Sequence, residues 1–365
     1  MAAEHDGERG AGEPLSILRG GSPEAARDGA RPGPPVIALD VGGSSIKGAL
    51  VTATARLALV RRVPTPATDE PALVEAVVAA ARALAERAAA EGTPAAAIGV
   101  AAAGVIDESA GIARQGANLR WRDTDLAGRL EAGLGLPATL LQDARAAARG
   151  EAILGAGRGA GSFLSLILGT GVGSAVVVEG RPIQGAHGLA GEIGHLQVDP
   201  HGLRCGCGGR GCVETVASAA ALARRYLAAT GDALRAEAVL ERAARGDRVA
   251  RSLWSDAISA LATALAAAVA VVDCDLVVVG GGMAAAGPPL FDQLRSELVA
   301  RISLAPPPEL APAALGNAAG VLGAAAAALE RLDRGDVIRS WRALPAPARG
   351  LDGALGADGG RRWNT

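Results

Sequence analysis

The stretch VIALDVGGSSIKGALV at positions 36–51 holds two apolar runs on either side of a glycine pair. Short apolar runs bounded by turn residues are typical of buried strands, so we predict strands at Val36–Val41 and Ile46–Thr52, joined at Gly42-Gly43. The same order of strand, glycine-rich turn and strand returns in FLSLILGTGVGSAVVV at 163–178. This weak internal repeat predicts two similar α/β domains that face each other.

Outside the two copies, apolar runs alternate with stretches of helical spacing, which is typical of an α/β fold. In the first half, the sequence predicts strands at Leu57–Val63, Ala97–Val105 and Ala138–Leu141, and helices at Glu70–Ala90, Asp123–Leu134 and Ala144–Leu154. The second half is mostly helical, with predicted helices at 214–229, 233–245, 249–271 and 289–302, a strand at Leu276–Gly280 and a final helix at Asn317–Leu332.

These elements predict an N-terminal domain at 35–143 and a C-terminal domain at 144–315 that carries a cysteine-rich loop. A helix at 316–333 is expected to pack back on the N-terminal domain. Residues 1–34 and 334–365 mix Pro, Gly and Arg without apolar periodicity, which favours disordered tails. The first tail is too short and too rich in Pro and Gly for a helix-turn-helix module.

Composition argues against several classes of protein. The chain has 365 residues, 50% of them hydrophobic, and a formal net charge of -2. The lack of a basic surplus argues against a general nucleic-acid binder and against an anionic membrane surface as partner. The uncharged, Ala-rich run Ala257–Val272 is shorter than the ~20 residues of a membrane-spanning helix and indicates a buried helix. Because the N-terminus has no secretion-signal pattern, we expect a cytoplasmic protein.

Three of the four cysteines fall within eight residues, in the stretch CGCGGRGC at 205–212, and a histidine precedes them. In a reducing compartment such clustering favours a metal site over disulfides. His195, Cys205, Cys207 and Cys212 would complete a closed tetrahedral zinc site, which is structural because no position is left for water. Free thiols are the alternative. Cys274 lies apart in an apolar run and is expected in the core.

Glycine-rich turns at three strand ends are candidate phosphate sites, because glycine lets backbone N–H groups approach a phosphate closely. The candidates are Gly42, Gly43, Ser44 and Ser45 in the first turn, Gly169, Thr170 and Gly171 in the second, and Gly280, Gly281 and Gly282 in the third. Asp40 could hold a hydrated Mg²⁺, and the third cluster could open a crevice for adenosine. Ordinary tight turns are the alternative, and none of the three is a Walker A loop.

Lys47 is the only lysine in the chain and lies beside the first turn. A lysine acts as a compact point charge toward phosphate. The alternative is a strand residue that faces solvent.

Carboxyl groups and amides follow several of these elements. Asp143 comes at the end of a predicted strand and the start of a helix, where the helix N-terminus favours the ionised base, although a simple N-cap is the alternative. Glu192 and Glu214 flank the predicted metal residues, so a zinc ion would bring them together to accept hydrogen bonds from vicinal hydroxyls. Asn118 could add an amide. For Glu214 the alternative is a first-turn acid of the following helix.

Over roughly 36–332 the sequence resembles the ROK family, which holds bacterial glucokinases, other hexokinases and sugar-responsive repressors. The motifs that carry the resemblance are Asp40-Val-Gly-Gly-Ser, Asn118-Leu-x-Trp121, Gln142-Asp143-Ala, Leu168-Gly-Thr-Gly-Val-Gly, Gly191-Glu-Ile-Gly-His195, Cys205-x-Cys-x4-Cys212-x-Glu214 and Leu315-Gly-Asn-Ala-Ala-Gly-Val. The His–Cys–Cys–Cys–Glu pattern is the most specific of these.

The resemblance implies the two-domain actin/hexokinase-like (ribonuclease H-like) fold, with a hexose in the interdomain cleft and ATP with Mg²⁺ across the glycine turns. It also implies Asp143 as general base, sugar contacts from Glu192, His195 and Glu214, and a structural Zn²⁺. The family often forms dimers or tetramers, so we expect a homo-oligomer.

The sequence departs from the family pattern at two positions. The usual Asn-Asp-Ala-Asn reads Gln142-Asp143-Ala-Arg145. Gln142 stands where the family usually has a sugar-binding Asn, and its longer side chain places the amide about an ångström or more deeper in the sugar pocket, where a small displacement can weaken catalysis strongly. Arg145 either stabilises the carboxylate or points to solvent.

These features predict an ATP-dependent hexose kinase, with glucose as the expected acceptor. The alternatives are a kinase for fructose, mannose or N-acetylmannosamine, a non-catalytic sugar-binding regulator, and polyphosphate as donor.

Overall fold

The computed structural model describes residues 33–66, 69–116 and 119–345. Its first half contains the strands β1 Val36–Val41, β2 Ser45–Val51, β3 Leu57–Pro64, β4 Ile98–Ala102, β5 Val105–Asp107, β6 Ile112–Gln115, β7 Arg122–Asp125 and β8 Ala138–Gln142, with the helices α1 Glu70–Ala90 and α2 Leu126–Leu134.

The second half contains the helices α3 Asp143–Leu154, α4 Val213–Ala217, α5 Ala219–Thr230, α6 Ala236–Ala244, α7 Arg248–Val272, α8 Pro288–Arg301, α9 Ala319–Arg331 and α10 Gly335–Arg342. Its strands are β9 Ser162–Leu168, β10 Val172–Val178, β11 Arg181–Pro182, β12 Leu276–Gly280 and β13 Glu309–Pro312. Short 3-10 turns form at Ile193–His195, Gly282–Ala286 and Gly316–Ala318.

The two larger sheets share one topology. The first has the order β3-β2-β1-β4-β8 and the second the order β11-β10-β9-β12-β13. In each sheet two consecutive strands, β1–β2 or β9–β10, form an antiparallel hairpin. A third strand, β3 or β11, pairs antiparallel with the second strand of the hairpin. The other two strands are added parallel to the first strand of the hairpin. The internal repeat at 36–51 and 163–178 is therefore present in the structure, and each copy forms the hairpin at the centre of a sheet.

Parallel pairing brings three strand ends of the first sheet together. In the register Val41 lies beside Ala102, and Ala102 beside Gln142. Since the carboxyl ends of parallel strands meet at one edge, the first glycine turn and the start of α3 share that edge. The fold thus places Asp40 and Asp143 on neighbouring segments.

Helices α3 and α9 cross in close contact; α9 covers strands β1 and β4, and α3 packs against β10. The crossing depends on glycine, because a Cβ at Gly150 would collide with the carbonyl of Ala319 and one at Gly323 with the carbonyl of Ala146. The packing places the N-terminus of α9 beside β1, where an added Cβ at Gly320 would lie 3.2 Å from the carboxyl carbon of Asp40.

Several predicted boundaries are wrong for local reasons. The strand expected over Ala97–Val105 ends at Ala102, because Gly104 turns with φ 122° and β5 starts a separate three-stranded sheet. The helix expected from Asp123 begins at Leu126, where the Asp125 side chain caps it. The single helix expected over 214–229 is broken at Ser218, which caps α5.

The disordered tail expected over 334–365 is wrong for Gly335–Arg342, which forms α10. Val337, Ile338 and Trp341 share one buried face of this helix. Trp341 is completely buried and its Nε1 donates to the carbonyl oxygen of Ala53 at 2.8 Å. Residues 1–32 and 346–365 lie outside the part of the chain that the structure describes, so the rest of both tail predictions is not addressed.

Within the described residues, α7 is long and apolar enough to cross a membrane by length and composition, but 50% of its most apolar window is buried inside the protein. Leu261 and Leu265 of this helix are almost fully buried in the core of the second half. Burial of this extent is typical of a core helix, as the sequence indicated for this run.

Candidate active site and metal centre

Four carboxyl groups from the two halves of the chain face one another. Asp40 lies near the end of β1, Asp143 begins α3, Glu192 precedes a 3-10 turn, and Glu214 lies in α4. The charge of Asp40 acts on Asp143, and the charges of Asp143 and Glu214 act on Glu192. The four carboxyl groups are therefore linked by electrostatic influence from one to the next, and their roles in a sugar site stay predictions.

Asp143 is held at the N-terminus of α3, where its Oδ1 accepts a hydrogen bond from the N–H of Ala144 at 2.8 Å. The sequence argument expected a carboxyl stabilised in its ionised form. Instead, burial and then the charge of Asp40 raise the pKa of Asp143 to about 6, against the lowering effects of the Ala144 N–H and Arg145. With that pKa, about nine-tenths of the group is ionised at pH 7.

The N-cap residue of α3 is Gln142 and not Asp143, for which the sequence left the N-cap role as an alternative. Its Oε1 accepts from the N–H of Arg145 at 2.8 Å, and its Nε2 donates to Oε1 of Glu192 at 3.3 Å. Gln142 is 5% exposed. Its longer side chain therefore spans the distance between the helix cap and Glu192.

Burial raises the pKa of Glu192 to about 7, the neighbouring charges of Asp143 and Glu214 add to this, and Arg145 opposes it. Glu214 is fixed differently, because its Oε2 accepts from the backbone N–H of Val172 at 3.0 Å. That contact ties Glu214 to the second glycine turn, where an added Cβ at Gly171 would collide with the same carboxylate.

The first glycine turn is a tight hairpin in which the N–H of Gly42 donates to the carbonyl of Ser45 at 3.1 Å. Gly43 and Ser44 are exposed at its tip, whereas Ser45 is buried at the start of β2. Gly43 and Ser44 are therefore accessible to a ligand, whereas the side chain of Ser45 is not.

Lys47 does not simply face solvent. Its Nζ lies 3.6 Å from Oδ2 of Asp40 and donates to Oδ1 of Asn317 at 3.2 Å. Burial raises the pKa of Asp40, and Lys47 lowers it in part. A cation and a buried carboxyl thus stand together beside the first turn.

The second and third glycine clusters lie against each other. An added Cβ at Gly281, whose φ is 84°, would collide with the carbonyl oxygen of Leu168 just before the second turn. In that turn the N–H of Gly169 donates to the carbonyl of Gly171 at 3.0 Å, and Thr170 is exposed. Both clusters therefore lie next to each other at the carboxyl ends of the neighbouring parallel strands β9 and β12.

The predicted metal ligands converge. One ligand atom from each of His195, Cys205, Cys207 and Cys212 lies within 4.8 Å of the others. Sγ of Cys205 is 3.6 Å from Nδ1 of His195, and the Sγ atoms of Cys207 and Cys212 are 3.7 Å apart. A tetrahedral zinc site with bonds of about 2.3 Å to sulfur and 2.0 Å to nitrogen has edges of about 3.8 and 3.5 Å. The donor set and its spacing therefore fit zinc.

The remaining predicted positions are less central. Asn118 lies outside the part of the chain that the structure describes, so its role stays a prediction. Cys274 is buried in the core as expected.

The sequence argument did not identify Glu108, which belongs to no motif. For Arg145 it left two alternatives, contact with the Asp143 carboxylate or exposure to solvent. Arg145 does not point to solvent: it is 1% exposed, and its Nε donates to Oε1 of Glu108 at 2.6 Å.

Residues 36–331 match the model of the ROK family. The chain belongs to the ROK family. The glucokinase of Halalkalibacterium halodurans is 34% identical over 305 residues, which span 79% of this chain and 92% of that enzyme. The N-acetylmannosamine kinase of Salmonella typhimurium is 36% identical over 306 residues, which span 79% of this chain and 96% of that kinase.

The crystal structure of a ROK family glucokinase from Streptomyces griseus in complex with glucose and AMPPNP matches with a TM-score of 0.71 at 31% identity, over 81% of this chain and 99% of that chain. The chain therefore has the two-domain actin/hexokinase-like fold that the motifs implied. The boundaries placed between the domains from sequence stay a prediction.

Proposed function

We propose that this ROK protein is an ATP-dependent hexose kinase that converts glucose and ATP to glucose 6-phosphate and ADP, with Asp143 as general base. The observation that supports the proposal most is the carboxyl of Asp143, held within the electrostatic reach of Asp40 and Glu192. Relatives that act on glucose, and a related structure with glucose and AMPPNP, point to the same reaction.

In the proposed mechanism the 6-hydroxyl of the sugar donates a hydrogen bond to the carboxylate of Asp143. The hydroxyl oxygen attacks the γ-phosphorus in line, the bond from that phosphorus to the bridging oxygen breaks, and ADP leaves. The hydroxyl proton passes to Asp143. A pKa of about 6 keeps the base ionised at pH 7 while leaving it basic enough to take the proton. General-base assistance contributes about 10²–10⁴-fold.

The other sugar hydroxyls would be held by Glu192, Glu214 and His195. With a pKa of about 7, Glu192 can donate as well as accept a hydrogen bond near neutral pH. Gln142 takes part indirectly, because its amide hydrogen-bonds to Glu192.

The triphosphate would lie along the first and second glycine turns, with adenosine next to Gly280–Gly282. Asp40 would hold Mg²⁺ through water, and such an ion would neutralise charge on the transferred phosphoryl group. Lys47, next to Asp40, is placed to reach the same phosphates. Positioning and charge neutralisation supply most of the rate in phosphoryl transfer.

The Cys205–Cys212 loop and His195 would hold a structural Zn²⁺. Bound there, the ion would supply a closed tetrahedral clamp and no open position for water. Glu192 comes three residues before His195, and Glu214 two residues after Cys212. The clamp would therefore fix the backbone on which both sugar-binding carboxylates stand.

N-acetylmannosamine is the strongest alternative acceptor, because a kinase for that sugar is among the relatives. Fructose, mannose, a polyphosphate donor and a regulator without catalysis are further alternatives. The paired Asp143 and Glu192 carboxyls argue for catalysis. We further propose a cytoplasmic homo-oligomer, in line with the family.

The direct test is ADP release measured across a panel of sugars, with wild type, Asp143→Asn and the control Asp292→Asn. Asp292 is an exposed helix residue paired only with Arg295 among the contacts described. We expect glucose to give the highest kcat/KM, the Asp143 variant to keep glucose binding but lose at least about 99% of turnover, and the control to match wild type. ADP release by the Asp143 variant at a near-normal rate contradicts the base assignment. Sugar binding without ADP release by wild type favours the regulator.

A further inference from the structure

A buried ion pair lies beside the carboxyl site and outside the roles assigned so far. Arg145 stands two residues after Asp143 on α3, and the side chains of Arg145 and Glu108 are 2% and 11% exposed. Burying two charges costs several kcal/mol per ion before their attraction is counted, so such a pair is weak grounds for a purely stabilising role. The contacts of the pair show what it holds.

Glu108 joins three segments of the chain. Its Oε1 accepts from Nε of Arg145 and from the backbone N–H of Gln142 at 3.1 Å, while its Oε2 accepts from Nε2 of Gln184. Glu108 follows β5, Gln142 ends β8, and Gln184 follows β11 in the second sheet. One carboxylate thus connects both halves of the protein at the edge that carries Asp143.

Arg145 holds the second half at another point, because its Nη1 donates to the carbonyl oxygen of Gly188 at 2.8 Å. Gly188 itself lies against β5: its φ is 70°, and an added Cβ would be 2.9 Å from the carbonyl oxygen of Ile106. The segment 184–188 is therefore docked closely on the first half of the chain.

Glu192 comes four residues after Gly188, and Gln142 hydrogen-bonds both to it and to the backbone of Arg145. A shift of the docked segment would move the Glu192 carboxylate relative to Asp143. The remaining guanidinium nitrogen, Nη2, has no partner among the described residues, and an unpaired buried donor costs about 1–3 kcal/mol. The position of the guanidinium is thus set by Glu108 and Gly188 rather than by full satisfaction of its donors.

We propose that Arg145 is a positioning residue of the sugar site, which with Glu108 forms a latch that fixes the 184–192 segment, and so Glu192, against the strand end that carries Asp143. The proposal rests on the proposed function.

The electrostatics agree with this geometry. Burial and the charge of Asp40 raise the pKa of Asp143, Arg145 is the cation that lowers it, and Asp143 in turn raises the pKa of Glu192. Loss of the guanidinium should therefore raise the pKa of Asp143. Arg145→Lys keeps the charge but cannot reach both Glu108 and Gly188 with the planar guanidinium geometry.

The test compares Arg145→Gln, Arg145→Lys, Glu108→Gln and the double variant Glu108→Gln/Arg145→Gln with wild type. The control is Arg149→Gln, on the same helix, where the arginine pairs with Glu330. We expect Arg145→Gln to raise KM for glucose about tenfold or more, with KM for ATP changed less than about twofold, since displacement of a positioned group acts on the substrate that it touches. The lower pKa of kcat/KM should rise in Arg145→Gln and stay near wild type in Arg145→Lys and Glu108→Gln.

The double variant should be no worse than Arg145→Gln, because both changes break the same latch. The control Arg149→Gln should lower the melting temperature at most and leave KM for glucose unchanged. The proposal is overturned if Arg145→Gln behaves like this control, or if it changes KM for glucose and KM for ATP equally. If Arg145→Gln does not fold, Glu108→Gln and Arg145→Lys decide by the same KM criterion. If wild type turns over no sugar, the proposed function fails, and the latch is then judged by whether the same variants weaken glucose binding in calorimetry.

Discussion

Replacing Asp143 by Asn should abolish turnover and make the protein more stable. The pKa of this carboxyl is raised from 3.8 to about 6, mainly by burial and then by Asp40. The folded protein thus holds the carboxylate less favourably than the unfolded chain does, by about 2 pKa units or about 3 kcal/mol. Asn removes the charge, and its Oδ1 can still accept from the N–H of Ala144.

The sign and the pH window follow from the direction of the shift. A carboxyl whose pKa is raised by folding binds more protons when folded, so its ionisation destabilises the folded state as pH rises from 3.8 through about 6. The gain in unfolding free energy from Asp143→Asn should be close to zero at pH 3, roughly half of its full value at pH 5 and at most about 3 kcal/mol at pH 8.

Urea denaturation of wild type and Asp143→Asn at pH 5 and pH 8 measures the gain, with zinc present and no chelator. Asp292→Asn is the matched control, because it also removes one negative charge but from an exposed helix surface. A variant less stable than wild type at pH 8, or a gain that does not change with pH, would refute the argument that burial destabilises the catalytic carboxylate.

The remaining predictions concern substrates, pH and metal. Because the pKa values of Asp143 and Glu192 are raised to about 6 and about 7, kcat/KM should fall at least about tenfold between pH 7.5 and pH 5. The rate of ADP formation, followed by chromatography, measures this fall, and a change below twofold contradicts the raised pKa values. Gly171→Ala should raise KM for glucose about tenfold, because the new Cβ displaces the Glu214 carboxylate. The control Gly161→Ala, which has open space around its Cβ, should leave KM for glucose unchanged, and equal KM values in the two variants contradict a role of Glu214 in sugar binding. Lys47→Arg should raise KM for ATP and leave KM for glucose unchanged, since the longer planar group cannot keep the Asp40 and Asn317 contacts; an unchanged KM for ATP argues against a phosphate role. Removal of metal with a chelator should lower the melting temperature and glucose affinity together, and metal analysis should find about one zinc per chain; a metal-free, fully active protein contradicts the zinc site.

Much of the fold follows from local signals in the sequence. The two strand–turn–strand copies were identified from apolar runs and glycine pairs, and α1 was predicted with its observed bounds, Glu70–Ala90. The elements that were missed depend on partners far away in the chain. The helix α10 is stable because Trp341 is buried against the segment that carries Ala53, and nothing within 334–345 indicates that contact.

The sequence by itself named the candidate residues: the spacing of the ligands at 195–212 is a short-range pattern, and the resemblance to the ROK family singled out the carboxyl at 143. Only the tertiary structure decided how those groups behave. Desolvation and neighbouring charge set the pKa of Asp143, and that charge is carried by Asp40, more than a hundred positions earlier. The burial of Arg145 against Glu108 likewise required the folded chain, because an arginine in sequence carries no sign of whether water or a carboxylate will surround it.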